Sequence, residues 1–236
     1  MKKKECVILS PHFDDAGLGI PAFLKEKRAQ YKVNIVTLNS ISVWAPGITI
    51  KGRLQISAAR AKEDKKAFKY LCGTPKTIKM DFLDAPLRGV RNVTGDNKFL
   101  KLEKLHIKKL RGQLRKIKNS LLLVPLGIKH IDHLVVTEAV LNEIVLLNKA
   151  GNEIVFYEEM PICGMVALIE IKNRIKYIEK AINGKLQPFF STSKDIQKLK
   201  KKMLSFYPSQ IRADDLKAVF KHLSRMKNRE RLWRVV

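Results

Sequence analysis

Two short apolar runs constrain this chain most, because each breaks off into a cluster of histidine and aspartate. Val7-Ile8-Leu9 stops at Ser10-Pro11-His12-Phe13-Asp14-Asp15, and Leu121-Leu122-Leu123-Val124-Pro125 is followed by His130-Ile131-Asp132-His133. Short apolar runs bounded by turn-forming residues read as strands covered on both faces, the kind found in parallel sheets. Such a strand can deliver polar groups only at its end. Both clusters are therefore expected in one crevice beyond the carboxyl ends of the strands, where open parallel sheets bind their ligands.

The rest of the pattern supports an α/β fold, a mostly parallel sheet flanked by helices. Residues 5–10, 32–38, 75–80, 120–125 and 153–157 read as strands. Between them, residues 22–30, 54–71, 99–118 and 134–147 carry helical periodicity, and strands alternating with helices argue for a parallel sheet. The connections 40–52 and 81–97 are punctuated by glycine and proline. Toward the end the pattern is less regular. Residues 164–172 suggest one further strand, 194–206 and 214–226 two helices, and Trp233 a docking point for the last segment. A chain of 236 residues with 45% apolar content can bury a full core and is read as a single domain, 1–236.

Composition removes several classes. No window approaches the ~20 apolar residues of a membrane helix, and the apolar stretch behind Lys2-Lys3-Lys4 is too short for a signal peptide, so a cytoplasmic protein is expected. Cys6, Cys72 and Cys163 are isolated and without C-x-x-C spacing, which suggests neither a disulfide framework nor a thiolate zinc site. The formal charge of +25 fits either a lysine-dressed surface or attraction of an anionic partner. Because the basic residues are dispersed, charge alone selects no substrate.

His12 and Asp15 are three apart, as are His130 and His133, so each pair would share a face on a helical turn. Imidazole and carboxylate together suit zinc, and iron(II) is also compatible. Four protein ligands would close a tetrahedral site; three would leave a position open for water, whose pKa a bound metal lowers toward ~7. Spacing alone does not choose between the two.

The same residues resemble the PIG-L or LmbE-like family of zinc-dependent N-acetylglucosaminyl deacetylases, whose opening motif H-P-D-D-E stands here as His12-Phe13-Asp14-Asp15-Ala16 and whose H-x-D-H motif stands as His130-Ile131-Asp132-His133. Arg60-Ala61-Lys62-Glu63, Asp81-Phe82-Leu83-Asp84, residues 157–161 and residues 202–210 look like further family stretches, so the resemblance spans nearly the whole chain. It implies a Rossmann-like fold and a metal held by His12, Asp15 and His133. Asp14 would be the general base, and His130, held by Asp132 or another carboxylate, would stabilise the oxyanion. Arg60 and Asp84 would either shape the substrate pocket or form a salt bridge beneath it. Phe13 for proline changes no chemical group. Ala16 for glutamate removes an acceptor near the metal, a loss that can cost roughly 10- to 100-fold, unless a carboxylate such as Asp81, Asp84 or Glu159 replaces it.

The expected substrate is an N-acetylglucosamine-type conjugate, anionic if the basic charge has a functional counterpart. Nucleic acid is not the expected partner, and homo-oligomerisation is left open. Two other readings use the same residues. One is a binding protein for nucleic acid or an anionic polymer on a weakened deacetylase fold. The other is an amidase for a different acyl group or a thiol conjugate.

Overall fold

The computed structural model describes residues 3–90 and 104–236. Seven strands form one sheet in the order β3-β2-β1-β4-β5-β7-β6, with β1 Lys4–Ser10, β2 Tyr31–Thr37, β3 Lys76–Lys79, β4 Ser120–Pro125, β5 Glu153–Tyr157, β6 Leu186–Ser191 and β7 Glu230–Val235. The first five are parallel, while β7 runs antiparallel to both β5 and β6. All six residues of β4 and the last five of β1 are buried, as the unbroken apolar runs required.

Among the five parallel strands, chain order runs outward in both directions from the β1–β4 pair. That pair is the topological switch point, where the loops after adjacent strands diverge and open a crevice. His12 follows β1 and His130 follows β4, so the strand order brings together clusters more than a hundred residues apart in sequence.

The helices are α1 Asp15–Gly19, α2 Pro21–Lys27, α3 Arg53–Cys72, α4 Lys104–Leu114, α5 Ile131–Leu141, α6 Ile144–Lys149, α7 Ile162–Met165, α8 Leu168–Ile182, α9 Ile196–Leu204 and α10 Ala213–Arg225. One group packs α1, α2, α3 and α9 together, and another α4, α5 and α8. No described helix is long and apolar enough to cross a membrane.

Several expectations need correction. The single helix over 134–147 is two, α5 and α6, broken where the buried Glu143 carboxylate turns to accept hydrogen bonds from Arg111 and, at 2.7 Å, Arg115 Nε of the α4 segment. Residues 164–172 form no strand. They lie in α7 and the start of α8, whose buried Ile171, Ile175 and Ile178 recur at helical spacing, with Glu170 accepting from the Ala167 amide. β6 and β7 have no counterpart in the sequence reading. Trp233 lies in β7, where its Nε1 donates to Glu158 at 3.0 Å. The first part of the helix expected at 99–118, and Gly95, fall outside the described residues.

Lys200 supports the element that carries Asp15. Its ammonium is buried and donates to the carbonyls of Leu18 (2.5 Å) and Gly19 (3.1 Å) at the end of α1, while Glu230 Oε1 lies 2.9 Å away. Glu230 in turn accepts from the Ala22 and Phe23 amides that begin α2. Removing one member of a buried ion pair strands the other charge, at a cost of about 3–5 kcal/mol. Lys200→Met is therefore expected to lower the thermal midpoint by roughly 10 °C in a chain of this size. Adding Glu230→Gln recovers part of the loss; a double variant less stable than the single one would disprove this role.

Candidate metal centre

The loop between β1 and α1 is tied to itself before it meets anything else. Ser10 Oγ donates to the His12 carbonyl at 2.6 Å, and the His12 amide donates to Asp15 Oδ2 at 2.7 Å. This turn places His12 and Asp15 side by side. Behind it α1 is pressed against Tyr207: a Cβ on Gly17 would lie 2.0 Å from the tyrosine oxygen, so only glycine fits there. The Tyr207 hydroxyl donates to Asp64 of α3 at 3.0 Å. Across the crevice His130 is the N-cap of α5, and His133 sits in the helix's first turn.

Three side chains converge. His12 Nδ1 lies 3.2 Å from Asp15 Oδ2 and 3.3 Å from His133 Nε2, which is itself 3.3 Å from Asp15 Oδ1. A tetrahedral cation bound at about 2.0–2.2 Å has ligand-to-ligand edges of about 3.3–3.5 Å. The described residues thus include a group, His12, Asp15 and His133, whose spacing suits a metal ion.

The outer nitrogen of each histidine confirms the orientation. Asp132 Oδ2 lies 2.8 Å from His12 Nε2, and the same carboxylate accepts from the Ala85 amide (3.0 Å) and Arg88 (2.7 Å). Surrounded by donors, Asp132 takes the Nε2 proton's hydrogen bond and leaves Nδ1 facing the cluster. Glu159 does the same for His133, with Oε1 3.3 Å from Nδ1, and is itself held by the amides of Leu126, Gly127 and Ile128 at 3.0, 2.7 and 2.8 Å. Gly127 makes this cradle possible: its φ is 74°, and a Cβ would lie 2.4 Å from Thr137 Oγ1.

Two sequence expectations change here. Asp132 orients His12 rather than His130. His130 Nδ1 instead accepts the Asp132 backbone amide at 3.2 Å, which leaves Nε2 to carry the proton of the neutral ring. Glu159, which the sequence suggested only as a substitute for the missing acid at position 16, is the carboxylate partner of His133. Ala16 is fully buried, and neither histidine depends on it for a carboxylate.

The charges follow the geometry. Burial alone would lower the His12 pKa, but its hydrogen bonds to Asp132 and Asp15 outweigh it and raise it to about 10. His133 is raised as well, its burial outweighed by the Asp15 charge and Glu159. Asp15, despite burial, is lowered to about 2 by His133 and His12. His130 is held well below the usual histidine range by burial and by the charges of His12 and His133, so it stays neutral. Asp14 is raised, first by burial and then by the Asp15 charge.

Arg60 is buried, with Nε donating to Gln210 Oε1 (2.6 Å), one terminal nitrogen to Ser42 Oγ (2.6 Å) and the other 3.5 Å from Asp14 Oδ1. Asp84 is also buried, accepts from Ser42 Oγ, and lies 3.9 Å from Arg60. Both side chains are engaged by partners within the protein. Glu63, one helical turn from Arg60, accepts from Ser209 and Gln210 and locks that late segment in place.

Glu159→Gln is expected to weaken metal binding by about 10- to 100-fold, the scale for removing the partner of a ligating histidine. Competition against a chromogenic chelator measures it. Unchanged affinity would show that Glu159 serves only the loop.

No protein-family model matches this sequence, and no curated protein matches it. Solved structures do. The zinc-inhibited form of teicoplanin deacetylase Orf2 superposes with a TM-score of 0.69 at 18% identity, covering 98% of each chain. The N,N'-diacetylchitobiose deacetylase from Pyrococcus horikoshii gives 0.62 at 17% identity, over 99% of this chain and 84% of that one. The fold is that of these deacetylases. A hydratase, the 4-carboxy-2-hydroxymuconate hydratase from Pseudomonas putida, shares it at a TM-score of 0.58 and 12% identity, over 99% of this chain and 96% of that one. The deacetylase fold thus carries more than one chemistry, and the reaction has to be argued from the side chains.

Proposed function

We propose that this chain is an LmbE-like metal-dependent deacetylase that hydrolyses the N-acetyl group of an N-acetylglucosamine-type amino sugar conjugate. The observation that carries the reading is the convergence of His12 Nδ1, Asp15 and His133 Nε2 at tetrahedral-edge distances, with a carboxylate behind each imidazole. His12, Asp15 and His133 would hold the ion, zinc in the first instance and iron(II) as the other compatible metal. Held by these three residues, the ion would supply Lewis acidity and acidify a water toward ~7.

Asp14 is the general base. It adjoins a ligand, its raised pKa makes it a stronger proton acceptor than an ordinary carboxylate, and Arg60 fixes it through Oδ1. It accepts the proton of the attacking water and returns it to the amine as the C–N bond breaks. His130, kept neutral with its proton on Nε2, donates to the oxygen of the tetrahedral intermediate. Arg60 and Asp84 position Asp14 and the loop around Ser42.

A neutral imidazole donor and a carboxylate base beside the ion-binding cluster are the two groups that amide hydrolysis needs. The deacetylase neighbours point the same way. The deciding experiment purifies the protein without chelator, measures metal per chain, and assays acetate release from a panel of N-acetylglucosamine conjugates. About one ion per chain together with acetate release supports the reading. Bound metal with no acetate from any conjugate would remove it.

A further inference from the structure

We infer that the substrate carries an apolar group beside the amino sugar and that Trp44 is the residue that selects it. The inference rests on the deacetylase reading and concerns what lies just outside the reacting amide. Trp44 is large, aromatic and 43% exposed, yet its backbone is fixed at both ends. Its amide donates to Ser42 Oγ at 2.9 Å, and its carbonyl accepts from Arg60 at 3.3 Å, the same side chain that reaches Asp14. The Arg212 guanidinium sits 5.4 Å from the ring centroid, two residues beyond the Gln210 that receives Arg60 Nε. Trp44 is thus held one side chain, Arg60, away from the catalytic carboxylate, with much of its surface in solvent. An ordered aromatic in that place costs little further entropy when a ligand covers it.

Its neighbours extend the same surface. Val43 is 42% exposed, and the Ser42 amide donates to Ser57 Oγ, which draws this loop against the first turn of α3. Leu54 lies three residues before Ser57 on that helix, hence on the same side, and is 71% exposed; Ile50 precedes it in the loop. Four large apolar residues left in solvent within one twelve-residue stretch, tied to Asp14 through the Trp44 carbonyl and Arg60, mark a binding surface rather than scattered exposure. The two polar side chains shown beside Trp44 are already engaged. Ser42 is fully buried and bonded, and the Arg212 donors face Asp215 at 3.3 and 3.5 Å. A second sugar ring needs partners for its hydroxyls, whereas an alkyl or aromatic aglycone needs the apolar face that is present. The surface fits the aglycone.

The test compares kcat/KM for octyl N-acetyl-β-glucosaminide, below its micelle concentration, with free N-acetylglucosamine and N,N'-diacetylchitobiose. The octyl compound is expected to be preferred over the free sugar by about tenfold or more, the scale of covering one apolar side chain. That ratio should collapse toward one in Trp44→Ala and persist in Trp44→Phe. Using a ratio cancels any disturbance passed to Arg60. If Trp44→Ala does not fold, Leu54→Asp should lower the same ratio. A wild-type ratio near one, a ratio unchanged by Trp44→Ala, or a preference for the disaccharide alone overturns the inference. A binding measurement separates it from the underlying reading. Octyl N-acetyl-β-glucosaminide should shift tryptophan emission in the wild type but not in Trp44→Phe, whose remaining Trp233 is buried. A shift without acetate release removes the deacetylase reading and leaves the apolar subsite. Equal acetate release from all three compounds without a shift removes the subsite and leaves the deacetylase.

Discussion

Asp14→Asn should keep its metal and lose turnover by about 10²- to 10⁴-fold, the range for removing a positioned general base. The substitution keeps size and shape, and the asparagine oxygen can still meet Arg60, so the fold and the three-donor cluster are undisturbed. What disappears is the ability to take a proton. The pH profile separates this from a structural effect. Burial and the adjacent Asp15 charge raise the Asp14 pKa above the ordinary carboxylate value, and the base must be ionised to act. In the wild type kcat/KM should therefore fall as pH drops through that raised value, giving an acid limb above the usual carboxylate range. In Asp14→Asn the residual rate should lack that limb. A variant with wild-type turnover would remove Asp14 from the mechanism.

His133→Ala should lose the metal and all activity that depends on it, and His12→Ala and Asp15→Ala should do the same. Each supplies one of three converging donors, and two donors without the third leave a site open on one side. Proton competition adds a second signature. In the metal-free chain His12 is held at about 10 by Asp132 and Asp15, so an incoming cation must displace its proton. The sign follows directly: lower pH favours the proton, so apparent affinity weakens as pH falls below about 10. A single displaced proton corresponds to about tenfold per pH unit. Chelator competition at pH 7 and 8 reads the slope, and metal counts on the three variants read the ligands. Full occupancy in all three would disprove the assignment.

Most of the parallel half was legible because its strands are wholly buried and apolar, and the helices between them are long enough to show their period. The antiparallel edge was not. β6 reads Leu186-Gln187-Pro188-Phe189-Phe190-Ser191, with a proline inside and buried only at its ends, so it carries neither alternation nor an apolar run. Its existence depends on β7, some forty residues later, with which it pairs from Leu186–Val235 to Ser191–Glu230. The start of α8 misled in the opposite direction, since Ile169 and Ile171 favour extended chain locally and only packing made them helical.

The same division runs through the site. By itself the sequence determined the chemical inventory: two His/Asp clusters at the ends of two buried strands, three-residue spacing within each, and a second aspartate beside the first. Those are local properties, set by residue type and by where an apolar run stops. Only the tertiary structure decided which nitrogen of each histidine faces the cluster, because the choice belongs to Asp132 for His12, 120 positions away, and to Glu159 for His133. It also decided the partners of Arg60, bringing Gln210 and Ser42 to its donors and Asp14 within 3.5 Å. A hydrogen-bonding side chain offers several partners to any neighbour the fold supplies, and residue type alone does not say which neighbour arrives.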